Sequence, residues 1–212
     1  EISACDAETG KKVHILGYGF KSAEAINALC RPVAEARHEN SLQKIKVLQK
    51  LGYKITEADV LPYAHKYIFK KHIVRYLFES GQEDKIFGNV YHKIFHGGGP
   101  GDFGIKYVNA AGAVKVITES GGKAVLAHPG QQNNFEILPE LKRAGLWGIE
   151  LKHPVHNACW QKIVLQAAAD YGLFCTGGSD CHGIYSEKYH AVGSNLCPAV
   201  AAEELLKQNK NS

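Results

Sequence analysis

Hydrophobic residues change their spacing along the chain, and each change predicts a different kind of element. Residues 11–19 form a short apolar run after turn-forming residues at 8–10, which predicts a hairpin or strand pair. Over positions 21–51 apolar residues recur at helical spacing. Pro32 is expected to interrupt or kink that stretch, so it allows either one helix or two. The glycine-rich segment 96–104 is predicted to be a loop on composition alone.

Beyond position 110 the pattern becomes a regular alternation of strands and helices. Three short apolar runs are separated by amphipathic helical segments and glycines, and they lie at Lys123–Ala127, Gly148–Leu151 and Leu173–Thr176. Strands that alternate with helices through short connections are typical of parallel βα units. We therefore predict the α/β fold class, with a site at the edge where these strands end.

Polar residues follow each of these three strands. His128 comes after the first strand, His153 after the second, and Asp180 with His182 after the third. Neutral imidazole together with carboxylate is the ligand mixture that Zn²⁺, Mn²⁺ and Fe²⁺ accept. A single histidine of this kind is more often structural, but several at equivalent strand ends favour a metal site.

Composition and charge narrow the classes of protein. The formal net charge is +4 without any basic run, so it provides no argument for binding to nucleic acid or to a membrane surface. No apolar run approaches the roughly 20 residues that a membrane span requires. The six cysteines are scattered without a Cys-x-x-Cys pair, which is typical of reduced thiols and predicts a cytoplasmic protein.

Four segments resemble successive motifs of the PHP (polymerase and histidinol phosphatase) family: Glu1–Ser3 with Val13–Tyr18, Gly121–Pro129, Gly145–Glu150 and Thr176–Gly183. The resemblance covers nearly the whole chain and is closest to the stand-alone metal-dependent phosphoesterases. It implies a distorted (β/α)7 TIM-like barrel, incomplete at its N-terminus, that is built from residues 1–19 and 108–212. A helical insertion at 20–107 is expected to cap the mouth of the active site.

The same resemblance implies the ligands and the reaction. By matched motif, Glu1 is expected to be a bridging carboxylate, and the further metal ligands are His14, His128, Asp180 and His182. Two or three divalent ions (Zn²⁺, Mn²⁺ or Fe²⁺) are implied, with a metal-bound hydroxide that attacks phosphorus in line. The expected substrate is a phosphate ester of a small molecule, a nucleotide or an oligonucleotide end.

Four other residues are candidates for contact with the substrate. Lys70 and His72 stand where relatives carry an Arg-x-His-Ile helix start that meets phosphate, although an exposed basic helix surface explains them equally well. His156 is expected to reach substrate or act as a general acid, with an ordinary polar loop residue as the alternative. Arg37 could meet a second phosphate, with a solvated helix face as the alternative.

The chain departs from the family pattern at its start. The Asp-x-His-x-His strand with which the family opens is not present before Glu1, and the sequence contains no Met. We therefore expect that residues precede Glu1 and complete the site. Two other hypotheses stay open: a non-catalytic metal- or phosphate-binding remnant, and a metal-dependent amidohydrolase. The amidohydrolase would share the barrel and the ligand types, but no strand lysine is identifiable as its carboxylated ligand.

Overall fold

The computed structural model of the chain describes residues 1–210, and within them the strands form one six-stranded sheet. The strands are β1 (Ile2–Cys5), β2 (Lys12–Tyr18), β3 (Val108–Asn109), β4 (Lys123–Leu126), β5 (Gly148–Lys152) and β6 (Phe174–Gly177). Their spatial order is β3-β1-β2-β4-β5-β6. Strand β2 is antiparallel to β1 and β4, whereas β4, β5 and β6 run parallel. The predicted hairpin and parallel units are confirmed, and the fold is mixed α/β.

Eight α-helices accompany this sheet within the described residues. They are α1 (Glu24–Lys50), α2 (Glu57–Val60), α3 (Lys70–Glu79), α4 (Ala110–Glu119), α5 (Pro129–Gln132), α6 (Leu138–Arg143), α7 (Ala158–Tyr171) and α8 (Ala199–Lys210). Helix α7 shows why these bounds occur: the Asn157 side chain accepts hydrogen bonds from the first turn, and Gly172 ends the helix in a left-handed conformation. Among residues 1–210, no helix combines the length and apolar character that crossing a bilayer requires.

Helix α1 corrects one prediction. Pro32 lies inside it, yet the helix continues without a break from Glu24 to Lys50. A proline removes one backbone donor, which leaves the carbonyl four residues earlier without its helical partner. That carbonyl belongs to Ala28, which is exposed, as is Pro32. Solvent exposure at this turn lessens the cost of the lost hydrogen bond, and the expected interruption of the helix at Pro32 was wrong.

The chain divides into two units, which we name the sheet unit and the helical unit. The sheet unit contains Glu1–Cys30 and the chain from Tyr107 onward, and the helical unit is Arg31–Lys106. The helical unit has its own apolar core, made by residues that include Leu48, Ile73, Leu77 and Phe95. The predicted role of residues 20–107 as a cap over a site stays a prediction.

The two faces of the sheet differ in polarity, and this difference positions the candidate site. Paired residues on neighbouring strands share a face, and successive residues alternate between faces. One face is apolar and buried together with residues of α4, α6 and α7, and it carries Ile2, Ala4, Val13, Ile15, Ala124, Leu126, Ile149 and Leu151. The opposite face carries polar pairs: Ser3 faces His14, and Glu150 faces Thr176. Ionisable side chains therefore gather on one side of the sheet.

Candidate metal centre

Three predicted metal ligands converge beside the polar face of the sheet. The imidazole Nδ1 of His14 lies 2.8 Å from Oε1 of Glu1, and the Nε2 of His128 lies 3.8 Å from Oε2 of the same carboxylate. The rings of His14 and His128 meet edge to face, with centroids 5.1 Å apart. One ligand atom from each residue lies within 4.8 Å of the others, the only such triad found in the described part of the chain.

The geometry of this triad fits a metal ion. Two ligands of a tetrahedral ion with metal–ligand distances near 2.1 Å lie about 3.4 Å apart. The observed separations, 2.8 Å from His14 to one oxygen of Glu1 and 3.8 Å from His128 to the other, are of that size. The Nδ1 of His14 is buried and makes no aligned hydrogen bond, even though a carboxylate oxygen is nearby. A buried imidazole nitrogen without a hydrogen bond is available as a ligand. Glu1, His14 and His128 therefore form a chemically suitable donor set.

Electrostatics couple the carboxylate to the histidines. Burial acts to raise the pKa of Glu1, but the nearby His128 and His14 imidazoles and the positive charge that they can carry outweigh it, so its pKa lies well below its usual range. Burial also acts to lower the pKa of His128, and the Glu1 carboxylate reverses that effect to a net rise. The carboxylate is thus ionised at neutral pH and favours positive charge beside it, whether from a proton or from a metal cation.

The loop after β4 presents His128 in an unusual conformation. His128 has φ 26° and ψ 56°, in the left-handed region, and it directly precedes Pro129. Left-handed backbone is costly for a residue with a side chain and is retained only when the surroundings impose it. The buried Glu150 carboxylate accepts a 2.8 Å hydrogen bond from the backbone N–H of His128. Glu150 was not among the predicted site residues, although a single acid within an apolar strand was a signal that could have identified it.

Asp180 lies next to this triad through another histidine. Its Oδ2 is 3.5 Å from the Nε2 of His153, and the ring of His153 lies 4.9 Å from that of His128. The interaction with His153 lowers the pKa of Asp180, against an opposing effect of burial. Asp180 also has a positive φ of 46°. His153, noted in the sequence only as a strand-end residue, thus connects Asp180 to the triad.

His182 is placed differently from the other predicted ligands. Its Nδ1 lies 2.9 Å from the backbone oxygen of Asp180 and 3.5 Å from the Oδ1 of that residue. Its side chain is 60% exposed, whereas that of His128 is 3% exposed. The structure therefore brings Glu1, His14 and His128 together, places Asp180 beside them, and leaves His182 outside the triad. Ligation by Asp180 and His182 stays a prediction.

The ring of His156 contacts the backbone of two loops. Its Nδ1 lies 3.0 Å from the backbone oxygen of Leu151, and its Nε2 accepts a 3.1 Å hydrogen bond from the N–H of Gly130. The residue is buried, and burial lowers its pKa. Backbone groups thus engage both ring nitrogens, and His156 joins the loops after β4 and β5. A role of His156 in substrate binding or as a general acid stays a prediction.

We expect Gly130→Ala to destabilise the sheet unit, because the glycine leaves room for His156. An added Cβ would lie 2.8 Å from Cδ2 of His156 and 2.9 Å from Cδ2 of Trp160. Overpacking of this kind costs about 1–3 kcal/mol in the free energy of unfolding, measurable by urea denaturation.

Gly112→Ala in α4 is the matched control. Its added Cβ would have only an ordinary contact, 3.6 Å from Asn109, and alanine is the better helix former. We expect this variant to be unchanged or more stable than the parent. Equal stability of the Gly130→Ala protein and the parent would contradict the assigned packing.

The remaining candidates for substrate contact lie in the helical unit. The Nζ of Lys70 lies 2.6 Å from Nε2 of His96 and 4.6 Å from the ring centroid of Tyr91. His72 is buried, and its Nδ1 accepts a hydrogen bond from the N–H of Phe69 at the start of α3. Arg37 is half-buried within α1. Contact of Lys70, His72 and Arg37 with substrate stays a prediction.

Sequence comparison places this site in a known family. No protein-family model matches the chain. Over 193 residues, 90% of its length, the chain is 41% identical to the phosphoribosyl 1,2-cyclic phosphate 1,2-diphosphodiesterase of Eggerthella lenta, and the match covers 74% of that enzyme. The chain belongs to a PHP-like family of phosphoesterases. The prediction of a phosphoric ester hydrolase is confirmed at the level of the reaction class.

A second curated relative supports the same assignment. The 3',5'-nucleoside bisphosphate phosphatase of Chromobacterium violaceum is 30% identical over 178 residues, which are 80% of this chain and 62% of that enzyme. Two relatives of this PHP-like protein are thus named for hydrolysis of phosphate esters. They disagree in the ester named, so the reaction class is better determined than the substrate.

Solved structures support the fold. A candidate metal-dependent phosphoesterase from Bifidobacterium adolescentis matches with a TM-score of 0.83 at 23% identity, over 97% of this chain and 74% of the other. That likeness shows the fold alone. A Chromobacterium violaceum structure described as an amidohydrolase, with bound sulfate and no metal, matches with a TM-score of 0.74 at 25% identity, again over 97% and 74%. Structures with this fold are therefore described both as phosphoesterases and as amidohydrolases. The names of the two curated relatives support hydrolysis of phosphate esters.

Proposed function

We propose that Glu1, His14 and His128 bind a divalent metal ion that this phosphoesterase uses for hydrolysis. The observation that carries the proposal is the convergence of one carboxylate and two imidazoles, with the buried Nδ1 of His14 lacking an aligned hydrogen bond. Asp180 is proposed as a further ligand because its carboxylate lies beside the same group through His153. Two or three ions of Zn²⁺, Mn²⁺ or Fe²⁺ match this ligand chemistry.

Each side chain has a separate task in the proposed site. Such an ion supplies Lewis-acid stabilisation of phosphoryl oxygens and activation of water. Glu1 offers two carboxylate oxygens, one toward each histidine, and can therefore serve two ions. His128 keeps its Nε2 directed toward Glu1, because its Nδ1 lies 3.1 Å from the amide oxygen of Gln132. Asp180 keeps its negative charge at neutral pH because the contact with His153 lowers its pKa.

The proposed substrate is a phosphorylated sugar or nucleotide of low molecular weight. The two relatives are named for a phosphoribosyl cyclic phosphate and for a nucleoside bisphosphate. Both names describe a sugar compound with two phosphoryl groups. The higher identity to the cyclic phosphate enzyme makes a cyclic phosphodiester the first substrate to test. An oligonucleotide end is the larger alternative within the same chemistry.

The finer architecture is also a proposal. The six-stranded sheet would be part of a distorted (β/α)7 barrel, with the polar face inward and the helical unit as a cap. The apolar face, which packs against residues of α4, α6 and α7, supports this arrangement, because helices cover the outside of the strands in such a barrel. A cytoplasmic location is proposed from the six cysteines, which all lie within the described residues and are free.

Metal removal and substrate choice test the function together. Protein depleted of metal by a chelator is expected to release no phosphate, and added Mn²⁺, Zn²⁺ or Fe²⁺ is expected to restore hydrolysis. The two substrates are a phosphoribosyl cyclic phosphate and a 3',5'-nucleoside bisphosphate, and an N-acyl amino acid serves as the amide control. We expect the cyclic phosphate to be hydrolysed with the higher kcat/KM.

Two outcomes would contradict the proposal. Hydrolysis that survives complete metal removal would contradict the role of the Glu1–His14–His128 triad. Metal-loaded protein that cleaves the amide and neither phosphate ester would favour the amidohydrolase hypothesis, and loaded protein without any activity would favour the non-catalytic remnant.

A further inference from the structure

The backbone of His128 requires an explanation beyond its role as a proposed ligand. Its left-handed φ of 26° combines with the restriction that Pro129 imposes on the preceding residue. The preceding residue of a proline is normally extended, so neither local preference favours the observed conformation. Something outside the loop must therefore hold His128 in place.

The carboxylate of Glu150 is the group that meets this backbone. It lies on β5, which pairs with β4, and its Oε2 accepts the N–H of His128 over 2.8 Å. Glu150 is only 3% exposed, and burial raises its pKa. Burial of a carboxylate costs free energy unless a hydrogen bond compensates for the lost contact with water. The hydrogen bond to the His128 N–H, rather than side-chain packing, therefore explains why this carboxylate is buried here.

A glycine beside the carboxylate leaves the space that it occupies. A Cβ at Gly178 would lie 2.8 Å from Oε1 of Glu150, so the absence of a side chain there makes space for the carboxylate. Gly178 precedes Asp180 by two residues on the loop after β6. Glu150 therefore lies between the two loops that carry His128 and Asp180.

The imidazole of His128 has a separate partner. Gln132, at the end of the single-turn helix α5, places its Oε1 3.1 Å from Nδ1 of His128. An amide oxygen can only accept, so this orientation of Gln132 fits the tautomer with the ring proton on Nδ1. The lone pair of the neutral ring then lies on Nε2, the nitrogen nearest to Glu1.

We propose that Glu150 and Gln132 are positioning residues that together present the Nε2 of His128 to the metal site. Glu150 holds the backbone of His128, and Gln132 selects its tautomer. Partners behind a metal-ligating histidine orient the ring and increase its basicity. The inference rests on the proposed metal function of His128, and it identifies which residues behind the ligand control that function.

The test for Glu150 compares two substitutions. Glu150→Ala removes the acceptor and is expected to weaken Mn²⁺ or Zn²⁺ binding by about 10- to 100-fold, measured by competition with a chromophoric chelator. Glu150→Gln keeps an acceptor oxygen and is expected to lose much less affinity. Melting of the metal-free proteins separates positioning from stability. Equal affinity of Glu150→Ala and parent, or equal losses in both variants, would overturn the role of the hydrogen bond.

The test for Gln132 measures the tautomer of His128 directly. It remains informative if a Glu150 variant fails to fold. In metal-free protein labelled with ¹⁵N-histidine, the ring of His128 is expected to carry its proton on Nδ1. Gln132→Leu is expected to shift that population toward the Nε2–H form and to weaken metal binding. Gln131→Leu is the control, because Gln131 is its exposed neighbour on α5.

The outcomes separate the inference from the function on which it rests. An unchanged tautomer and metal affinity in Gln132→Leu would overturn the role of Gln132. Parent protein that binds no metal, but whose ring tautomer shifts in Gln132→Leu, would refute the metal function and leave the hydrogen-bonding role of Gln132 intact.

Discussion

Replacement of His128 by asparagine is expected to remove metal binding and phosphoesterase activity while leaving the fold intact. His128 contributes the buried imidazole of the triad, with Nε2 3.8 Å from the Glu1 carboxylate. Loss of a group that only orients a ligand typically costs 10- to 100-fold, so removal of the ligand itself is expected to cost about 100-fold or more in metal affinity. Metal content by elemental analysis and kcat/KM for the preferred phosphate ester are the two measurements.

Asparagine is a better replacement than alanine at this position. His128 has a left-handed backbone, and asparagine tolerates that region better than other residues with a side chain. Its shorter side chain cannot bring a nitrogen to the place of Nε2. His65→Asn, at an exposed histidine in the helical unit, is the matched control and is expected to retain full metal content. A His128→Asn protein with parental metal content would contradict the proposed triad.

The parallel part of the sheet could be predicted from sequence because its signals are local. Strands β4, β5 and β6 are short apolar runs, and glycines such as Gly172 mark where the helices between them end. Glycine reaches the left-handed conformation of a helix end without steric cost. The continuity of α1 through Pro32 could not be predicted, because a proline removes one helical hydrogen bond and therefore favours a break in the local pattern.

The residues of the candidate site also differ in how far the sequence could predict their roles. Motif resemblance identified Glu1, His14 and His128, and the structure brings their side chains together. The resemblance did not reveal that backbone groups from separate loops engage the two ring nitrogens of His156. The resemblance also did not identify Glu150 as a site residue. Its carboxylate accepts a hydrogen bond from the backbone N–H of His128, which lies 22 positions away in sequence. Residue types at strand ends predict which chemistry is available, whereas the three-dimensional contacts decide which residue performs it.

Asp180 tests whether the site extends beyond the triad. We expect Asp180→Asn to lower kcat/KM by about 100-fold and to reduce the number of bound metal ions, with little change in melting temperature. Asparagine keeps the size of the side chain and tolerates the positive φ of 46°, so the principal change is the loss of charge. Asp170→Asn, on the exposed surface of α7, is the matched control.

The activity lost in Asp180→Asn is expected to be independent of pH over the neutral range. The pKa of Asp180 is lowered chiefly by its contact with His153, so the carboxylate remains ionised throughout the neutral range and at mildly acidic pH. Protonation of Asp180 therefore does not reduce the activity of the parent protein in that range. The ratio of parent to Asp180→Asn activity is expected to stay constant between about pH 6 and 8. A variant that retains parental activity and metal content would exclude Asp180 as a ligand and restrict the site to Glu1, His14 and His128.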